Sequence, residues 1–188
     1  MIFVVYMGGC CGDVVSSLID WQDSRFNVAL RKMELPRERQ RLKTFWEFGS
    51  DQEKDQYVES MQGRYLSLPS HDIEYHVRRG HDFVGITVTD PDVALWAAQR
   101  FKDSHRPVMW RRVCAHAGVA GVPEYADLML HYSRMIETRT DQIIQLEDIV
   151  SGHAIPVIER WVGHPLKESI RTNAYKNWQD LIHGQFII

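Results

Sequence analysis

Glycines dominate the segment between the first apolar run of the chain and the first amphipathic one. Gly8, Gly9 and Gly12 fill three of five consecutive positions. A glycine-rich turn that leads into a helix aims backbone amides at an anion, and the helix dipole favours negative charge there. The segment therefore predicts a phosphate- or sulfate-binding loop, to which we assign Gly8, Gly9, Cys10, Cys11, Gly12, Asp13, Val14, Ser16 and Ser17.

The residues that follow the last glycine leave a second interpretation open. A complete Walker loop has lysine and then serine or threonine there, whereas this chain has Asp13 and Val14. A carboxylate at the N-cap satisfies the helix by itself and repels phosphate, so the loop also fits a plain self-capped turn. Ser16 and Ser17, in the first helical turn, either offer a hydroxyl to an anion or pack as small residues under the loop.

The adjacent thiols of Cys10 and Cys11 have two interpretations. Amides at a helix N-terminus stabilise a thiolate, which would make these cysteines reactive. Neither has a neighbouring base in the sequence, so we favour small size next to the sheet as their role. Three cysteines in the whole chain do not make a disulfide framework, which indicates a reducing compartment.

His71 is the candidate general base. It follows Pro69 at the end of a short apolar segment, where a parallel sheet places its active-site edge. There it would take a proton from an acceptor hydroxyl; the alternative is a loop histidine bonded to backbone. The nine histidines have no paired spacing typical of metal ligands, so we expect no metal site.

Two further groups of residues suit a phosphorylated ligand but also have ordinary explanations. Basic side chains gather at Lys102, Arg106, Arg111 and Arg112, either as phosphate contacts or as a solvated helix face. Tryptophans that would stack on a purine, or simply pack in the core, are Trp46, Trp96, Trp110, Trp161 and Trp178.

Alternating strand and helix patterns must position these residues. Continuous apolar runs at 2–7 and 83–88 predict strands buried on both faces, and weaker runs predict strands at 66–68 and 142–146. Helical patterns follow at 14–21, 36–48, 51–61, 92–101, 123–139, 155–162 and 173–182. The order predicts one α/β domain over 1–188, a three-layer P-loop-like fold with a short central parallel sheet flanked by helices.

Composition narrows the class of partner. The 188 residues are 44% hydrophobic, and a net charge of −3 gives no field that would favour nucleic acid or an acidic membrane. The opening apolar run is too short for a membrane span and lacks the basic flank of a signal peptide. We therefore expect a cytoplasmic protein that binds a nucleotide or another phosphorylated small molecule.

Three segments in order are similar to the P-loop sulfotransferase superfamily, particularly its short, divergent bacteriophage members. The first is IFVVYMGGCCGDVVSSLID, which resembles the strand and 5′-phosphosulfate loop of that family. The second is LPSHD, whose histidine, His71, corresponds to the catalytic base. The third is VTDPDVALWA, which resembles the Arg-Asp-Pro segment that follows a later strand. IIQLEDIVSGHAIPVIERWVGHPL and NAYKNW resemble the closing elements, so the similarity covers about half of the chain.

The resemblance implies the sulfuryl donor PAPS or another nucleotide as cofactor. The chain departs from the family, however, at the positions whose side chains bind that donor. The family's arginine and serine fall at Thr89 and Ala97, and the loop lysine is missing. One hypothesis is therefore a sulfotransferase-like transferase, with a nucleotide kinase disfavoured because lysine and a magnesium ligand are absent. The alternative is an inactive phage protein that binds a host or viral protein in the host cytoplasm.

Overall fold

Four parallel strands form the sheet of this protein, which is described by a computed structural model over residues 1–20, 45–163, 165, 166 and 168. The strands are β1 (Ile2–Val5), β2 (Ser67–Ser70), β3 (Phe83–Thr87) and β4 (Ile143–Gln145), in the spatial order β2-β1-β3-β4. Every residue of β3 is buried, as its continuous apolar run predicts for a strand covered on both faces, and every residue of β2 is buried as well, although β2 begins and ends with serine. The predicted parallel pairing of β1 with β3 is confirmed.

The described helices separate the strands along the chain and confirm the α/β class. They are α1 (Gly12–Asp20), α2 (Asp51–Met61), α3 (Ile73–Arg79), α4 (Pro91–Asp103), α5 (Pro107–Ala117), α6 (Val122–Glu137), α7 (Leu146–Ser151) and α8 (Ile155–Val162), and a short 3₁₀ turn spans Phe45–Glu47. Among the described residues, no helix has both the length and the apolar character needed to cross a membrane.

Helices cover both faces of the sheet. On one face, a Cβ added to Gly85 would lie 2.1 Å from Cγ2 of Ile136, so α6 packs directly on the backbone of β3. Phe3 projects to that same face and its ring lies 4.5 Å from the ring of His76 on α3. On the opposite face, Ser16 of α1 contacts Ser67 of β2 with 2.8 Å between the hydroxyl oxygens. The fold is therefore three-layered, as predicted.

The connections change direction at β1. The first crossover carries the chain from β1 to β2 with α1 on one face, and the second returns past β1 to β3 with α3 on the other. Opposite directions on opposite faces correspond to a single handedness of crossover. In such sheets, ligands bind beyond the carboxyl ends of the strands where the direction changes. A ligand is therefore expected at the loops after β1, β2 and β3.

The structure corrects several predicted boundaries. Helix α1 begins at Gly12, so Asp13 lies in the first turn and not at the N-cap. Strand β2 lies one to two residues later than the predicted 66–68. Helix α3 was not predicted, because its seven residues are too few to show a clear apolar period between the Asp72 and Gly80 caps. The predicted helices at 36–48 and 173–182 lie wholly or mostly outside the described residues.

Ion pairs fix α3 against α2. Ser50 caps α2 by accepting from the Glu53 amide at 3.2 Å, so the helix begins where the predicted 51–61 pattern does. The pairs that join α2 to α3 and to the turn before it are Lys54 with Asp72 at 2.6 Å, Arg78 with Asp51 at 2.9 Å, and Arg79 with Asp55. Because β2 runs into α3, these pairs also anchor the end of the turn that carries His71.

Candidate functional site

His71 lies beside the glycine loop, as its sequence position predicts. It is the first residue after β2, and the parallel pairing of β1 with β2 brings their carboxyl ends together. The imidazole meets the ring of Tyr6, the residue after β1, edge to face with 4.5 Å between ring centroids. Its Nε2 is buried and has no hydrogen-bond partner. The alternative of a histidine bonded through Nε2 to backbone is therefore not what the structure shows.

Hydrogen bonds hold the turn that carries His71. Tyr132 of α6 donates its hydroxyl to the carbonyl of His71 at 2.6 Å and accepts from the amide of Ile73 at 3.0 Å. The hydroxyl of Ser70 accepts from the amide of Asp72 at 3.1 Å. The Asp72 carboxylate then accepts from the amide of Tyr75 and caps α3. The backbone on both sides of His71 is thus fixed by Tyr132 from α6 and by the neighbouring side chains of Ser70 and Asp72.

An aromatic cavity of about 240 Å³ opens next to His71. Rings from five elements or loops surround it, and Trp46 and His116 meet across it with 4.8 Å between their centroids. No lysine, arginine, aspartate or glutamate belongs to the described residues that line it, which are Met7, Gly8, Trp46, His71, Phe101, Val113, His116, Ala117, Tyr125, Leu128 and Tyr132. The cavity therefore suits an uncharged, planar group.

The environment keeps His71 neutral. Burial, and to a smaller degree the nearby His116, lowers the pKa of His71 to about 4. Both causes oppose the cationic form, since a charged imidazole here would lack solvent and face a second histidine. At neutral pH the ring is uncharged, and Nε2 either donates or accepts a hydrogen bond according to the tautomer.

The glycines of the loop allow aromatic rings to approach the backbone closely. A Cβ on Gly8 would lie 2.8 Å from Phe101 and from Tyr125, and one on Gly12 would lie 2.0 Å from the ring of Tyr6. Gly9 has a φ of 98°, a conformation that side chains disfavour. Tyr125 also donates its hydroxyl to the Gly8 carbonyl at 3.2 Å. Close packing of rings therefore explains Gly8 and Gly12, backbone conformation explains Gly9, and anion binding by the loop stays a prediction.

The two cysteines of the loop differ in burial. Cys10 is fully buried, its amide donates to the Met7 carbonyl at 3.1 Å, and burial raises the pKa of its thiol. A thiol in that position is neutral and small, in line with the packing role favoured from the sequence. Cys11 is partly exposed and has a φ of 58°, which is uncommon for a residue other than glycine.

The remaining loop candidates lie in α1. Ser16 is buried, and its hydroxyl contacts Ser67 near the amino end of β2 at 2.8 Å. It therefore packs against β2 and secures α1 to the sheet, whereas the packing interpretation placed it under the loop. Asp13, Val14 and Ser17 lie on the helix backbone, and their side chains are outside what the structure describes.

Glu147 is a residue of this sheet edge that the sequence did not reveal. Its Oε1 accepts hydrogen bonds from the amides of Thr89 and Asp90, at 3.1 and 3.0 Å. Thr89 is the position at which the resemblance would place an arginine for a donor phosphate. In this chain a carboxylate from α7 occupies the amides of that turn, which disfavours a phosphate there.

Sequence reasoning also missed most of the cavity wall. Tyr125, Leu128 and Tyr132 have the i, i+3, i+7 spacing of one helix face, a signal that was available but is equally typical of core. The predicted basic cluster lies elsewhere: Lys102, Arg106, Arg111 and Arg112 are exposed and do not line the cavity.

Comparison with known proteins found no match: no family model, no curated protein and no solved structure matches the chain. The similarity to P-loop sulfotransferases thus stays a prediction from the quoted segments.

Proposed function

We propose that this protein binds a small phosphate- or sulfate-bearing ring compound, such as a nucleotide, with the ring in the cavity beside His71. The observation that carries the proposal is the buried, unpartnered Nε2 of His71 in the wall of an aromatic cavity. An unsatisfied buried polar group costs about 1–3 kcal/mol, and a ligand atom that bonds to Nε2 removes that cost. The ligand is therefore expected to present a hydrogen-bonding edge to His71.

The size and lining of the cavity support one ring system. Its volume of about 240 Å³ is just below the roughly 300 Å³ at which pockets for drug-sized molecules begin. Trp46, Phe101 and Tyr125 offer ring faces and edges for stacking. A charged group has no partner among the lining residues, so the phosphate or sulfate must lie outside the cavity. The loop after β1 is next to it, since Gly8 belongs to both.

Binding is better supported than group transfer. Transfer would require His71 to remove a proton from an acceptor hydroxyl, as the resemblance implies. The neutral ring is in the right form for this, but a pKa of about 4 makes it a weak base at neutral pH. The same lowered pKa does not impair a hydrogen bond to a neutral ligand group. Recognition of a ring by His71 is therefore the proposed role.

Calorimetric titration of the full chain with adenosine, AMP, ATP, PAPS and sodium sulfate tests the proposal. We expect the nucleotides to bind and His71→Asn to weaken them about 10-fold or more, because the variant cannot reach the same ligand edge. His131→Asn, on the exposed side of α6, is the matched control and should bind like the wild type. Failure of every compound to bind, or equal binding by His71→Asn, would overturn the proposal.

A further inference from the structure

A line of hydrogen bonds leads from the turn that carries His71 to the opposite end of α3. His76 is fully buried, and its Nε2 lies 2.8 Å from the hydroxyl of Ser70. Its Nδ1 lies 3.3 Å from Nδ1 of His81, which is partly exposed. Ser70 in turn accepts from the amide of Asp72, so the line ends in the backbone beside His71.

The end of α3 explains why two histidines meet. Gly80 adopts a φ of 64° and closes the helix, which turns the chain back so that the amide of His81 donates to the carbonyl of His76 at 3.0 Å. The ring of His81 then stacks on Phe3 with 4.7 Å between centroids and an interplanar angle of 15°. Both rings are therefore held in place by packing as well as by the hydrogen bond.

We propose that Ser70, His76 and His81 form a proton-linked relay in which the charge on His81 sets the orientation of His71 in the cavity. Two facing Nδ1 atoms share one proton, so each neutral histidine dictates the tautomer of the other. A charged His81 carries a proton on Nδ1 and must donate it, which leaves His76 with its proton on Nε2. His76 then donates to Ser70, and the hydroxyl proton of Ser70 loses its acceptor on His76.

The surroundings of the relay favour protonation of His81 over protonation of His76. Burial and, to a smaller degree, the neighbouring His81 lower the pKa of His76 to about 3. His81 is closer to solvent, and burial lowers its pKa, with Asp55 opposing and Arg79 adding to that effect. The titratable or charged groups that face the two rings, besides the rings themselves, are Lys54, Asp55, Asp72, Tyr75 and Arg79. As the pH falls, the first proton therefore goes to His81.

The inference rests on the proposed function only where it treats His71 as a ligand contact, and its test needs no ligand. Long-range ¹H–¹⁵N spectra of the labelled full chain, recorded from pH 8 to pH 5, report the tautomer of His76 and the Hε1 shift of His71. His71 itself titrates mostly below this range, because its pKa is lowered to about 4. His116 is close enough to disturb His71, so the series is recorded in His116→Gln.

We expect the Hε1 shift of His71 to change with the midpoint of His81, while His76 converts to the form protonated on Nε2. His81→Phe keeps a ring on Phe3 but cannot titrate, and should abolish both changes. Ser70→Ala should retain the tautomer change of His76 and abolish the response of His71. A His71 shift that ignores the midpoint of His81, or that persists in either variant, would overturn the relay. Those results would leave ligand binding in the cavity unaffected as a proposal.

Discussion

The surface formed by α2 and α3 differs from the carboxyl edge of the sheet in whether its polar groups have partners. On the surface, the charges of Lys54, Asp51 and Asp55 each meet a partner of opposite sign from α3 or from the turn before it, or one within α2. At the edge, buried polar atoms without a hydrogen-bond partner include Nε2 of His71 and Oγ1 of Thr87. Unsatisfied polar groups lower stability, so their concentration at one edge marks the region shaped for something other than stability.

Acid should produce the largest effect, because it acts on the edge and on the core beneath it together. The pKa values of His71 and His76 are lowered to about 4 and about 3, so the unfolded chain binds up to two more protons than the native one between the unfolded pKa of about 6.5 and these native values. The contribution of the two neutral histidines to the free energy of unfolding is therefore fully present above the unfolded pKa. It falls by up to about 1.4 kcal/mol per pH unit for each histidine as the pH drops toward the native pKa. Urea unfolding between pH 7 and pH 4.5 measures this slope.

The slope also separates the two histidines. In His71→Phe the contribution of His71 is lost, while those of His76 and, to a smaller degree, His81 remain, so the slope should fall by up to half. An unchanged slope would mean that His71 is not protected from protons in the native state, and the contrast between edge and surface would lose its main example.

Substitutions in the ion pairs between α2 and α3 should have the second-largest effect on stability, and the size of that effect should depend on burial. Lys54 is almost wholly buried between Asp51 and Asp72, so Lys54→Met leaves Asp72 without its close partner. We expect a loss of about 2–3 kcal/mol in the free energy of unfolding. Arg78→Met removes an exposed pair and should cost much less, with a salt-dependent effect. Similar losses in the two variants, measured by urea unfolding at low and high salt, would contradict the distinction.

The smallest expected effect is a gain in stability, whereas the changes above lower it. His71→Phe and Thr87→Val each replace an unpartnered buried polar group by an apolar one of similar shape, so each should raise stability by about 1 kcal/mol. Their effects on ligand should differ: His71→Phe loses the hydrogen bond to the ring, whereas Thr87→Val keeps it, since Thr87 does not line the cavity. Thermal unfolding with and without AMP compares them. A loss of stability in both variants would show that these groups have partners in solution.

The sheet could be predicted from the sequence because each strand is indicated by a short, continuous stretch of residues. Continuous apolar runs such as Phe83–Thr87 leave little choice but a strand buried on both faces, and the alternation with helices then fixes parallel pairing. The proximity of His71 to the loop followed from the same rule, since the carboxyl ends of paired parallel strands share one edge. These inferences need no knowledge of side-chain contacts.

The cavity could not be predicted from the sequence, because it depends on which faces of separate helices pack together. Phe101, His116 and Tyr132 come from three helices, and their sequence spacing is that of ordinary core residues. The meaning of the glycines was open for the same reason: a glycine that admits a phosphate and one that admits an aromatic ring look alike in the sequence. The structure distinguishes them by the rings of Tyr6 and Phe101 that lie where a Cβ would be.

A crystal structure of the protein with AMP would test the proposed site most directly. The account predicts the adenine ring in the cavity, between Trp46 and Tyr125, with a ring atom about 2.7–3.2 Å from Nε2 of His71. The phosphate should lie outside the cavity on the side of Gly8. An empty cavity in crystals that hold AMP elsewhere, or a ring that leaves Nε2 without a partner, would contradict the account.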